Sequence, residues 1–180
     1  MASTTTRKRM IRTVQVITAT SLLIVGCGTE KDRAGGDLHE EKAQAKIEEI
    51  VGQHMVSEAL LTAHFVAAAE RAGMSSDSIN AILRNVAEQS AIDEFWITDS
   101  LGHAYLTSTG VNFTFSPDPT VQPQASAFWP LLDGKELVVI QKAEVREIDS
   151  TTFKYVGVAG VDKPRIVQIG VSAEDIVDPK

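Results

Sequence analysis

The chain has 180 residues, 43% of them apolar, with 17 Lys and Arg against 24 Asp and Glu and a formal charge of −7 at pH 7. A surface of that sign repels phosphate backbones and anionic lipid headgroups, which argues against nucleic acid as a partner and against a purely electrostatic membrane contact. One cysteine, Cys27, leaves no intramolecular disulfide and no thiolate metal site to be made.

Taken in chain order, Arg7-Lys8-Arg9 and Arg12 come first, and an apolar run from Thr13 to Val25 follows. A basic region leading into an apolar one is the pattern of an export signal. The run of about 13 residues is short of the roughly 20 that cross a bilayer as a helix, so cleavage is expected rather than a permanent span. Leu23-Ile24-Val25-Gly26-Cys27 resembles the bacterial lipobox. That resemblance implies removal of residues 1–26 and acylation of Cys27, hence a lipid anchor outside the cytoplasm. More than one acyl chain anchors stably, each buried methylene contributing about 0.8 kcal/mol. Losing residues 1–26 removes four cations and no acid, which leaves 13 cations against 24 acids and a formal charge of −11.

Residues 27–38 are polar and glycine-containing without apolar periodicity, the composition of a flexible tether. From about His39 the pattern becomes helical, with Ile47, Ile50, Val51, His54, Leu61, Phe65 and Ala68 at three- and four-residue spacings until Gly73. A second helix follows, capped by Ser75 or Ser76, with Ile79, Ile82, Leu83 and Val86 as its apolar face. After Asp93 short β-branched and aromatic runs alternate with turn residues. Glu94 to Thr98 and His103 to Thr107 predict a hairpin about Asp99-Ser100-Leu101-Gly102. A long connection holds Pro117 and Pro119, and Pro123 to Leu132 predict a short helix. Leu137 to Ile140, Ala143 to Ile148, Phe153 to Gly160 and Arg165 to Ser172 complete the sheet as a meander. The expected fold is α+β: two helices, then an antiparallel sheet of about five strands with a short helix and loop over one face. Residues 39–180 make one domain of common size.

Phe95-Trp96-Ile97-Thr98-Asp99-Ser100-Leu101-Gly102-His103, with Phe153 to Val158 and Arg165 to Gly170, resembles the Cache sensor domains, the extracytoplasmic PAS-like domains of chemoreceptors and sensor kinases. Gln122 to Trp129 with Asp133-Gly134 is similar to that family's pocket-covering helix and loop. The resemblance covers roughly residues 39–175 and implies a small-molecule sensor. No transmembrane helix or cytoplasmic signalling coil follows the last strand in this sequence, so signalling is expected to require a membrane partner such as a chemoreceptor or sensor kinase.

His39, His54, His64 and His103 are the candidates for metal ligation or general base chemistry at neutral pH. His54 and His64 lie ten residues apart, about 15 Å along a helix, too far to share one ion. No Gly-x-Ser-x-Gly, His-Glu-x-x-His or phosphate-cradling glycine loop occurs. Neither catalysis nor a cofactor is expected, and a binding pocket is. Period two in the Phe153–Gly160 strand puts Phe153, Tyr155 and Gly157 on one face and Lys154, Val156 and Val158 on the other. Tyr155 offers a hydroxyl on an apolar ring beside the room left at Gly157; the alternative is that Gly157 admits a helix and Tyr155 is core. Arg146 and Lys154, on adjacent strands, are candidates to hold the carboxylate of a small organic acid or amino acid; the alternative is that they pair with Glu144, Glu147 or Asp149. Trp129, Trp96 and Tyr105 complete the candidate lining. A different class, a ligand-free interaction module that dimerises or docks through the long helix, predicts a filled core and an exposed apolar stripe on that helix.

Overall fold

In the computed structural model of the protein, residues 30–146 and 149–173 are described. Cys27, the export segment and the first residues of the tether lie outside the described residues, as do Glu147 and Ile148. Residues from Glu40 onward form one compact unit.

Helix α1 runs Glu30–Arg71, so it begins within the stretch whose composition suggests a tether. It stops where the sequence says it should. Gly73 takes φ +77°, Met74 N donates to Ala69 O and Gly73 N to Glu70 O, the paired bonds that close a helix on a left-handed glycine. Its buried face is only partly the predicted one, since Val51 and Phe65 pack against the core. Met55, Ala59, Ala63 and Val66 face the sheet, whereas Ile47, Ile50 and Leu61 are 48%, 47% and 70% exposed. Small residues win the inward face because the helix lies close: a Cβ on Gly52 would stand 3.1 Å from Ile140. Helix α2, Ser76–Gln89, is capped by Ser75, whose hydroxyl accepts from Ser78 N at 3.3 Å, and buries Ile79 and Leu83.

Six strands follow: β1 Glu94–Thr98, β2 Ala104–Thr107, β3 Val138–Ile140, β4 Glu144–Val145, β5 Thr152–Ala159 and β6 Ile166–Ser172. All pairings are antiparallel, in the order β2-β1-β6-β5-β3. The fold is α+β, as the sequence predicts, with a difference at the third strand position. Strands β3 and β4 do not form a meander with each other. Both pair with the same edge of the eight-residue β5, end to end, so five strand positions are filled by six segments.

The sheet has two apolar faces. Phe95, Ile97, Leu106, Val156, Val158, Val167 and Ile169 pack beneath α1 and α2. On the opposite face Trp96, Phe115, Phe153, Tyr155 and Ile166 are covered by a 3-10 helix, Ala125–Leu131, which brings Phe128 and Leu131. Pro130 lies inside that element, where it lacks an N–H to donate, and the segment stays short. Phe128 seats over Gly157: a Cβ there would come within 2.6 Å of its ring.

Candidate functional site

Between the sheet and this cover lies a small cavity lined by Trp96, Phe113, Phe115, Gln124, Ala125, Arg146, Tyr155 and Gln168. About 20 Å³ is open to the centre of a water molecule, room for one water. Trp96, Phe113 and Phe115 form its aromatic wall, with ring centroids 5.6 Å and 5.1 Å apart in sequence. Gln168 stands opposite both Trp96 and Gly157 in the ladder and is buried, a carboxamide in an otherwise apolar strand.

Arg146 closes one end. Its Nη1 donates to Glu94 Oε2 at 2.8 Å, while Nε and Nη2 grip Asp149 at 2.7 Å and 2.5 Å, a bidentate fork. The guanidinium carbon lies 3.9 Å over the Phe153 ring, which stacks on Tyr155. The Tyr155 hydroxyl donates to the buried Glu94 carboxylate. Gly170 makes the space: a Cβ on it would lie 2.5 Å from the Tyr155 ring and 3.0 Å from Glu94. The hydrogen bond to Asp149, followed by the contacts with Tyr155 and Glu94, holds Arg146 protonated well above its ordinary value against the opposing effect of burial. The same Arg146 bond, with those from Thr151, holds Asp149 well below the usual carboxylate range. Burial, then the Glu94 charge, pushes the Tyr155 phenol up. At neutral pH the cluster therefore holds a neutral tyrosine and an arginine already satisfied by acids.

Three of the residues expected to line a site, Trp96, Arg146 and Tyr155, do meet at this cavity. The other three do not. Lys154 is on the helix side, buried, with Nζ donating to Gln141 O at 2.9 Å and pairing with Glu48 at 3.3 Å. Strand alternation separates it from Arg146, whose guanidinium stacks on Phe153 across the sheet. Trp129 packs on Gly102, where a Cβ would lie 2.8 Å from its ring, and forms no part of the cavity wall. Tyr105 is turned away by a bulge. Ile97 pairs with Leu106 and Thr98 with Ala104, so Tyr105 is the extra residue and joins the helix-side core. The room at Gly157 is taken by Phe128 rather than left to a ligand. Sequence reasoning missed Phe113, Phe115, Gln124, Glu94 and Gln168. Their signals were the Phe-Thr-Phe alternation inside a presumed loop and single polar residues in apolar strands.

Tyr105 belongs instead to a second polar cluster on the helix side of the sheet. Arg165, 1% exposed, donates to Tyr105 Oη at 2.7 Å, to Glu70 at 3.0 Å and to Asp162 at 2.6 Å, and Lys163 pairs with Glu70 at 2.9 Å. Burial works to raise the Glu70 carboxyl, but the bonds from Tyr105, Lys163 and Arg165 outweigh it and hold it below its ordinary 4.5. A carboxylate lowered on folding adds stability that is present above that value and lost as pH falls through the folded one. Glu70→Gln is therefore expected to flatten the acid limb of a urea-midpoint profile run from about pH 7 to about pH 3. An unchanged limb would remove Glu70 from the acid response.

Among the described residues no group of three His, Cys, Asp or Glu is placed to hold a metal ion, and no helix is long and apolar enough to cross a membrane. His54, His64 and His103 are exposed. Neither a scan against protein-family models nor a search of the curated proteins finds a match for this chain.

Proposed function

We propose that this chain is an extracytoplasmic lipoprotein, anchored through Cys27, whose Cache-like domain binds a small molecule and reports it to a membrane partner such as a chemoreceptor or sensor kinase. The observation that carries this is the convergence of Arg146, Tyr155 and Gln168 on one cavity with an aromatic wall, a few oriented polar groups in an apolar lining. Its present size means that any ligand larger than water displaces the cover, residues 109–132 in the main, so binding and movement of that segment are coupled. Arg146 is already forked to Asp149. A ligand carboxylate has to displace that acid, whereas a neutral polar ligand meets Gln168 without doing so.

One feature favours the second reading, a ligand-free module docking through its first helix. Ile47, Ile50 and Leu61 form an exposed apolar stripe on α1, and Leu61, Phe65, Ile82 and Val86 line a groove of about 230 Å³ between α1 and α2. A thermal-shift panel of small carboxylates, amino acids, amines and purines on residues 37–180 separates the two. A ligand at about 100 times its Kd adds about 2.7 kcal/mol, worth several degrees. In Gln168→Leu the shift is expected to shrink while the ligand-free melting temperature moves little, and Tyr155→Phe is expected to shrink it too but to lower the ligand-free melting temperature, because the buried Glu94 carboxylate loses a donor. No shift across the panel favours the docking module.

A further inference from the structure

A cleft of about 270 Å³ lies on the helix side of the sheet, between α1 and the segment joining β3 to β4, lined by Ala45, Glu48, Gln53, Ile140, Lys142 and Lys154 among others. It has far more room than the cavity of about 20 Å³ beside Trp96. The Lys154 side chain borders it and is 3% exposed. A cation that deep is held by partners or not at all. Gly52 makes the space for it: a Cβ there would stand 3.5 Å from Lys154 Cε and 3.8 Å from Nζ. Nζ donates to Gln141 O at 2.9 Å and to Glu48 Oε1 at 3.3 Å, which leaves a third N–H without a partner among the described residues. The same Glu48 oxygen accepts from Ala143 N, again at 3.3 Å. Charge-assisted bonds close to about 2.7–2.9 Å, so Glu48 spans its two donors without seating on either. Its own side chain is 33% exposed.

We propose that this cleft binds a small aliphatic monocarboxylate, which takes the place of Glu48 on Lys154 Nζ and Ala143 N. Glu48 marks where the carboxylate oxygen goes, because a buried ammonium and a backbone N–H converge on its Oε1. A free carboxylate, not tied to α1, can close on both donors and take the third N–H with its second oxygen. Ile140, 42% exposed, and Ala45 supply an apolar wall for a short alkyl tail, and Lys142 is a second, exposed cation in the lining. The acids of the cleft limit the charge. Glu49 is held by Lys46 at 2.8 Å, and Glu48 once displaced turns to water, so one negative charge is accommodated. A dicarboxylate or a phosphate dianion brings a second charge up to these two acids and is disfavoured. A neutral amide gains nothing by displacing Glu48 from a cation.

The cleft and the Trp96 cavity lie on opposite faces of the sheet, so binding here neither requires nor excludes a ligand there. Titration of the full chain in detergent micelles with sodium butyrate at constant ionic strength, followed at the backbone amide resonance of Ala143, tests the site. The wild type is expected to shift saturably. Glu48→Ala is expected to bind about tenfold more tightly, because an internal competitor worth roughly one charge-assisted hydrogen bond is gone. Butyramide, the neutral isostere, is expected to shift neither. Adding Lys154→Met to Glu48→Ala is expected to abolish the response. Glu48 is partly exposed, so the tightening in Glu48→Ala is read on a folded domain whatever Lys154→Met does to stability. No saturable shift in Glu48→Ala overturns the proposal. So do equal affinities in Glu48→Ala and the wild type, or binding that survives Lys154→Met, either of which would place butyrate elsewhere, the cavity beside Arg146 included.

Discussion

Arg165→Leu is expected to lower the stability of the domain by about 3 kcal/mol, near the lower end for breaking a buried ion pair because both acids it serves reach water at one edge. The guanidinium is the centre of a cluster that joins the last turn of α1, through Glu70, to β2, through Tyr105, and to the β5–β6 turn, through Asp162. Leucine occupies part of the stem's volume but leaves two carboxylates and a phenol without their common donor. In a domain of this size the loss corresponds to a melting temperature lower by about 10 °C. Because the members act together, adding Glu70→Gln to Arg165→Leu is expected to cost less than the sum of the single effects. Melting of the two single variants and the double variant measures this, and a single-variant loss under about 1 kcal/mol would show that the cluster is a surface feature of little weight.

Gly157→Val is expected to cost about 2 to 3 kcal/mol by overpacking, and Phe128→Ala about 3 to 4 by leaving a cavity. The two positions are one contact: the added Cβ would overlap the Phe128 ring at 2.6 Å and meet Leu131 at 3.0 Å. Combined, the substitutions are expected to cost about as much as Phe128→Ala alone, since the valine fills space the ring vacates. Additive losses would mean that the 3-10 helix shifts as a body instead of meeting the strand at this point. This cycle matters for function as well as stability, because the cover is the part of the domain that has to move for anything larger than water to enter the cavity beside Trp96 and Arg146.

Much of the fold was legible residue by residue. Gly73 ends α1, Ser75 starts α2, and Asp99 with Gly102 turns the first hairpin: Asp99 Oδ1 accepts from Leu101 N at 2.8 Å and His103 N at 3.0 Å, and Gly102 takes φ +82°. These are local requirements, met within four residues of where they are written. The site was legible only in part. Tyr155 was found because alternation along a strand is local too, whereas Arg146 came from strand adjacency and Trp96 as an aromatic of unassigned face. The extra residue in β2 reversed Tyr105, and nothing in Ala104-Tyr105-Leu106 marks it. The α1 face was misread in part because large aliphatic residues usually face inward, whereas here Met55, Ala59, Ala63 and Val66 do, and at Gly52 the close approach of Ile140 leaves little room for a side chain.

What the sequence determined by itself is therefore the order and type of the elements, the acidic surface and the strand faces of β5, since each depends on residues near one another in the chain. Which helix face is buried, what fills the space over Gly157 and which distant acid each arginine takes beside its near one, Asp149 for Arg146 and Asp162 for Arg165, were decided only by tertiary structure. Those outcomes turn on the distance between packed layers and on partners 52 residues apart, as for Arg146 and Glu94, or 95 apart, as for Arg165 and Glu70. Steric fit and charge pairing at such separations exist only once the sheet has formed and brought the surfaces into contact.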